Sequence, residues 1–171
     1  MTDPLRSPLW GGLAACTSSM TVRKIESADW PEWRRMRSAL WPQSTVAEHE
    51  AEMAIWSARP DATAVVAVRP SGGLCGFAEA GACPFADGCR TSPVAFLEGW
   101  YVNPDCRGTG LGRRLIEAVE AWAREQGFRE LASDALLDNE QGQRAHLRLG
   151  FVEVERAVRY RKSLKDARDC N

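Results

Sequence analysis

The sequence has only two histidines, and its six cysteines form neither a Cys-x-x-Cys pair nor a dense framework. A structural zinc needs four well-spaced Cys or His ligands, so no metal is expected. No run of about twenty apolar residues occurs, the length that a bilayer-spanning helix requires. A basic excess is missing too, because 22 Lys and Arg face 23 Asp and Glu for a formal net charge of -1. Nucleic acids and acidic membranes are gripped through basic surfaces, so neither is an expected partner. Internal repeats and low-complexity segments are also missing. The cysteines, Cys106 included, are expected to be free thiols in a cytoplasmic chain, although Cys83 and Cys89 bracket a loop that a disulfide could close.

At 171 residues the chain suits one compact domain, large enough to bury roughly two thirds of its unfolded surface. The run Leu13-Ala14-Ala15-Cys16 superficially matches a lipoprotein cleavage site. The segment before it is too short and too broken by Pro and Gly to form an apolar signal core. Residues 1–19 therefore read as an N-terminal extension, expected to be disordered, and the domain proper as residues 20–171.

From Met20 the periodicity predicts β-α-α-β-β-β-α-β-α-β. An opening strand covers 21–25, and Trp33, Met36 and Leu40 recur at helical spacing until Pro42. A second helix is predicted over 45–59. Strands over 64–68 and 74–78 are joined by the hairpin Pro70-Ser71-Gly72-Gly73. A strand over 94–102, a helix from Leu111, a strand over 130–135, a helix over 141–149 and a sixth strand over 151–161 complete the order. His49 and His146 read as helix-surface residues.

The most informative stretch is Arg107-Gly108-Thr109-Gly110-Leu111-Gly112-Arg113, between an apolar strand and an amphipathic helix. Glycines let the backbone approach a ligand without Cβ atoms in the way, and a helix opening there presents N–H groups and a positive dipole end. This is a cradle for a pyrophosphate. A P-loop would close on Gly-Lys-Ser/Thr, whereas Gly112 is followed by Arg113 and Arg114. A dinucleotide turn would follow its strand directly, whereas Asn103-Pro104-Asp105-Cys106 intervenes.

Arg-x-x-Gly-x-Gly after a strand and a short loop resembles the coenzyme A signature of the GNAT acyltransferase superfamily. Asn139 before a helix ending in Leu149-Gly150-Phe151 matches that family in order and spacing, although a glycine past a helix is also the ordinary way to close one. The resemblance implies an α/β (α+β) fold: a central mixed, mostly antiparallel twisted sheet flanked by about four helices. It also implies acetyl-CoA as cosubstrate, held by Trp100, Tyr101, Val102, the 107–113 stretch and Asn139.

The phrases Phe96-Leu97-Glu98-Gly99-Trp100-Tyr101-Val102, Ala132-Ser133-Asp134 and Glu155-Arg156 with Tyr160-Arg161-Lys162 resemble the aminoglycoside 6′-N-acetyltransferases of type I. The resemblance implies a substrate site lined by Glu98, Asp134 and Glu155 with Trp41 and Phe85, and a homodimer. Ser44 departs from the pattern, standing where some relatives carry a histidine, and Glu79 is a further acid near the cleft. Polycationic substrates call for several carboxylates. Asp134 is the first candidate for accepting the amine proton, and Glu98 for positioning or for acting through water. A backbone N–H near Tyr101 or Val102 would polarise the thioester, in direct attack within a ternary complex.

Plainer readings stand beside these. Glu98 could face solvent or pair with Arg90, Asp134 could form an Asx turn, and Trp41 could be core. Phe85 could pin its loop, Glu79 could pair with a cation on a neighbouring strand, and Glu155 could be surface. Tyr160 is a candidate proton donor to the departing thiolate, and Cys106 a remote candidate acyl carrier. A polyamine or protein N-terminus as acceptor, or a non-catalytic acyl-CoA sensor, are the other functions considered.

Overall fold

The computed structural model describes residues 20–163. Strand β1 (Thr21–Lys24) is followed by helices α1 (Trp30–Leu40) and α2 (Val46–Ala58) and strands β2 (Ala62–Val68), β3 (Leu74–Cys83) and β4 (Val94–Val102). Then come α3 (Leu111–Glu125), β5 (Leu131–Ser133) and α4 (Glu140–Arg148), with short 3-10 turns before α1 and α3. One sheet in the order β1-β2-β3-β4-β5 is antiparallel except for the parallel pair β4 and β5. This is the mixed, mostly antiparallel sheet with four helices that the resemblance implies.

Strand β2 is a run of small and branched residues, apolar except for Thr63, and is buried on both faces, the pattern of a strand covered by helices on each side. On one face, Val66 and Phe77 pack with Trp33 and Met36 of α1 and Met53 of α2. On the other, Leu115 of α3 lies against Gly76 of β3. Leu115, Ile116 and Val119 are fully buried, and each such side chain contributes about 1.5–3 kcal/mol. Helix α2 opens with a capping box in which Thr45 and Glu48 satisfy each other's backbone amides.

Several local expectations change. Strand β3 runs on to Cys83, and β5 is only three residues long. His49 is fully buried rather than on a helix surface, and neither ring nitrogen has a partner among the described residues. Cys83 and Cys89 are free thiols. The expected sixth strand does not form, since residues 151–163 carry no regular structure. Val152, Val154 and Val158 alternate as a strand would but stand exposed, and alternation makes no strand without a neighbour to supply the hydrogen-bonded ladder. The extension over residues 1–19 lies outside the described residues.

The chain divides between Asp134 and Ala135 into two compact units. The first holds the whole sheet with α1, α2 and α3. In the second, α4 closes at Gly150, whose φ is 91°. Gly150 N–H donates to Leu147 C=O and Phe151 N–H to His146 C=O, the helix stop that the glycine predicts.

Candidate active site

The loop from β4 to α3 is held by its own backbone and short side chains. Asn103 N–H donates to Cys75 C=O at 2.8 Å, and Thr109 Oγ1 to Cys106 C=O at 2.7 Å. Arg107 Nε donates to Val102 C=O at 3.0 Å, and its guanidinium stacks 5.9 Å from the Tyr101 ring centroid. The N-cap of α3 is Gly110 at φ 83°, a left-handed conformation, and no side chain caps the helix. The first intrahelical bond is Arg114 N–H to Gly110 C=O, so the Leu111 and Gly112 amides precede the ladder at the positive end of the dipole. A Cβ at Gly108 or Gly110 would meet nothing within 4 Å, so this backbone faces open space. Gly112 differs. A Cβ there would lie 2.6 Å from Cζ2 of Trp100, so the indole occupies the space that glycine leaves.

Strand β4 changes register where the chemistry gathers. Glu79 pairs with Gly99 and Ala80 with Leu97, which leaves Glu98 as the extra residue of a bulge. On the other side β4 pairs with β5 only from Ala95↔Leu131 to Leu97↔Ser133. Beyond that the strands part, and Glu98 and Asp134 each follow the last paired residue of their strand. Both are exposed. Glu98 is held above the ordinary carboxylate range, first by loss of hydration and second by the charge of Asp134, with Arg59 opposing.

Past Leu97 no β5 residue pairs with β4. Asn103 N–H points to β3, and amide direction alternates along a strand, so Tyr101 N–H points the same way. The Trp100 and Val102 amides then face the side where β5 is absent. Of the two donors expected from the sequence, Val102 is placed on the open side and Tyr101 is not.

Trp41, the residue after α1, is half-buried against Gly99. A Cβ on Gly99 would lie 2.5 Å from the indole Cη2. Ser44 follows in a turn in which its N–H donates to Trp41 C=O at 3.2 Å. Glu79 is not a surface acid. It is 2% exposed, one carboxylate oxygen is bound by the Arg37 guanidinium and the other by Trp33 Nε1. Its cation therefore comes from α1 rather than from a neighbouring strand, and its oxygens are turned inward, away from any ligand. Burial lifts its carboxyl to about 7, with Arg37 and the Trp33 N–H holding it down against a larger rise.

Phe85 is 67% exposed on a loop tied down by Glu130, whose carboxylate accepts from the Arg90 and Thr91 amides and from Thr91 Oγ1. The Arg90 charge acts on Glu130, whereas the charges that act on Glu98 are those of Asp134 and Arg59. Cys106 is buried beneath the cradle loop, which removes it as an acyl carrier. Arg37 and Arg59 carry no local mark as neighbours of these acids, because only the packing of α1 and α2 on the sheet brings them there.

The remaining expected residues lie in the second unit. Asn139 is the N-cap of α4, its Oδ1 accepting from Gly142 N–H at 2.9 Å. Glu155 is exposed in the irregular 151–163 segment beside the Glu153–Arg156 ion pair, and Tyr160 is 92% exposed there. His146 stacks edge-on against Phe151 with centroids 5.1 Å apart. Among the described residues no cluster of His, Cys, Asp or Glu could hold a metal, and no helix is long and apolar enough to cross a membrane.

A mixed sheet whose fourth strand parts from its parallel neighbour beside a glycine-opened helix is the framework of an acetyltransferase. Residues 30–151 match the acetyltransferase (GNAT) family, and the chain belongs to it. It is 45% identical over 151 residues to the aminoglycoside N(6′)-acetyltransferase type 1 of Klebsiella aerogenes, covering 86% of this chain and 99% of that one. It is 39% identical over 149 residues to the enzyme of the same name from Stenotrophomonas maltophilia, covering 86% and 96%. Among solved structures, aminoglycoside 6′-N-acetyltransferase AAC(6′)-Ih from Acinetobacter baumannii superposes with a TM-score of 0.80 at 32% identity, covering 86% of this chain and 100% of that one. AAC(6′)-Iy, solved with the bisubstrate analogue CoA-S-monomethyl-acetylneamine, gives 0.80 at 36% identity, covering 85% and 99%.

Proposed function

We infer that the protein transfers the acetyl group of acetyl-CoA to the 6′-amino group of an aminoglycoside, by direct attack in a ternary complex. The observation that carries this reading is the acidic pair Glu98 and Asp134 at the point where β4 leaves β5, on the strand that leads into the uncapped start of α3. A polycation is drawn to the first, and a diphosphate fits the second.

Acetyl-CoA supplies an activated acetyl thioester. The cradle fits its diphosphate, since the backbone at Gly108 and Gly110 faces open space and the Leu111 and Gly112 amides lead the helix. Arg107 and Arg113 add positive charge, with Thr109 completing the donor side in this reading. The Val102 amide donates to the thioester oxygen, which gathers charge as the amine attacks.

An ammonium cannot attack, and each pH unit by which its pKa exceeds the ambient pH costs about 1.4 kcal/mol to deprotonate. Asp134 takes that proton, while Glu98 orients the amine. The nitrogen lone pair forms the C–N bond, the C–S bond breaks, and the thiolate leaves to be protonated. Trp41, Ser44 and Phe85 line the acceptor side. Acetylation converts a cationic amine into a neutral amide, which weakens a drug that binds through its charges, so the reading includes resistance. It also places the enzyme in the cytoplasm, where acetyl-CoA is made, as a homodimer that light scattering would detect.

The test is release of free thiol from acetyl-CoA with kanamycin or tobramycin, with mass spectrometry and NMR locating the acetyl group at the 6′ nitrogen. No release with several 6′-amino aminoglycosides, alongside rapid turnover of spermidine, would overturn it.

A further inference from the structure

Behind the acidic pair lies a buried charge cluster that the transfer chemistry does not use. Arg37 of α1 is buried, and its two terminal nitrogens bind Glu79 of β3 and Glu52 of α2. Trp33 Nε1 donates to the second Glu79 oxygen at 3.2 Å. The guanidinium lies 4.7 Å from the Trp41 ring centroid and 5.7 Å from that of Trp33. Glu79 is itself opposite Gly99, and its Cγ would stand 3.2 Å from a Cβ on that glycine.

Stability alone is a poor explanation for this arrangement. Buried ion pairs are often matched or bettered by apolar residues of similar volume, and Arg37 Nε finds no partner among the described residues. A planar guanidinium stacked on an indole, however, fixes the ring's tilt and position in a way an aliphatic neighbour does not. The indole so fixed rests on Gly99, directly after Glu98.

We propose that Arg37 is a positioning residue of the acceptor site: braced by Glu79 and Glu52, it holds the Trp41 indole on Gly99 and so sets the floor against which an aminoglycoside ring lies beside Glu98. Glu79 and Glu52 also surround the guanidinium with acidic groups, so that the cation does not repel a polycationic substrate from below. This assignment rests on the aminoglycoside reading given above and concerns orientation of the acceptor only.

The experiment is a double-mutant cycle of Arg37→Met and Trp41→Ala, with steady-state kinetics in tobramycin and in acetyl-CoA. Arg37→Met alone raises the tobramycin KM about tenfold and leaves the acetyl-CoA KM within about twofold, whereas in the Trp41→Ala background it adds less than about twofold. If Arg37→Met fails to fold because Glu79 is left buried and uncompensated, Arg37→Met with Glu79→Gln removes both charges together and is used in the same cycle. An unchanged tobramycin KM, or an equal loss with and without Trp41, overturns the positioning role while wild-type turnover of tobramycin leaves the functional reading intact. Absence of that wild-type turnover overturns both.

Discussion

The proposed donor and acceptor sides of the site are made of different materials. Between residues 103 and 113 the donor side is a single stretch of backbone whose shape depends on left-handed glycine and on an uncapped helix end. The acceptor side, as proposed, draws on side chains from three separate segments, Trp41 after α1, Glu98 in the β4 bulge and Asp134 after β5. A backbone site is sensitive to conformation and indifferent to most side chains. A side-chain site is the reverse, and its chemistry can be removed without altering its shape.

Asp134→Asn is the sharpest way to separate the two, because it removes a proton acceptor and keeps the volume. The expected loss in kcat is about 10²–10⁴-fold, the usual contribution of a positioned base, with the acetyl-CoA dissociation constant unchanged. Equal kcat in the variant would remove Asp134 from proton transfer and pass that role to Glu98.

Gly110→Val acts on the opposite side. Open space surrounds this position, so the substitution meets no protein atom; what fails is the φ of 83°, which costs an L-residue about 1–2 kcal/mol. Relief of that strain turns the Leu111 and Gly112 amides away, and acetyl-CoA binding measured by calorimetry should weaken about tenfold or more. kcat at saturating acetyl-CoA should fall much less. Unchanged affinity would mean that the diphosphate sits elsewhere.

Gly112→Ala probes the one place where the two materials meet, since the added methyl would press on the Trp100 indole at 2.6 Å. Overpacking of this kind costs about 1–3 kcal/mol, and a few-fold rise in the acetyl-CoA KM should accompany a lower melting temperature. Trp100→Leu in the same chain should restore both. Failure to restore either would show that the indole does not link the strand to the cradle.

The same contrast explains what could be read from the chain. The cradle was legible because its glycines, its helix start and the preceding strand are contiguous, and strand 94–102 and the four helices follow from local periodicity and from Pro and Gly punctuation. The identities of Glu98 and Asp134 were legible only through resemblance. Their meeting depends on a one-residue slip between β3 and β4 and on where β5 stops pairing, and neither leaves a local signal. Glu79 shows the limit most clearly. Along the strand it looks like any acid near a cleft, and only the docking of α1 turns it inward onto Arg37. His49 differs from its expected place because a histidine between Glu48 and Glu50 gives no hint that it lies on the packed face. The strand expected over 151–161 has the right alternation, but alternation cannot supply a ladder partner.

Titration offers the finest comparison within the acceptor side itself. The Glu98 carboxyl is raised by loss of hydration and by Asp134, and lowered by Arg59. If Glu98 must be ionised to orient the amine, kcat/KM falls as the pH drops through its raised pKa. The acidic limb of the profile therefore lies above the ordinary glutamate range near about 4.3. Asp134→Asn deletes a cause that raises it, so the limb of the residual activity should move to lower pH. Arg59→Gln deletes the cause that lowers it, so that limb should move to higher pH. Two shifts of opposite sign would tie the limb to Glu98, because a group remote from both neighbours would move with neither. A limb that stays in place in both variants would assign it to another titrating group and leave Glu98 without a role in orienting the amine.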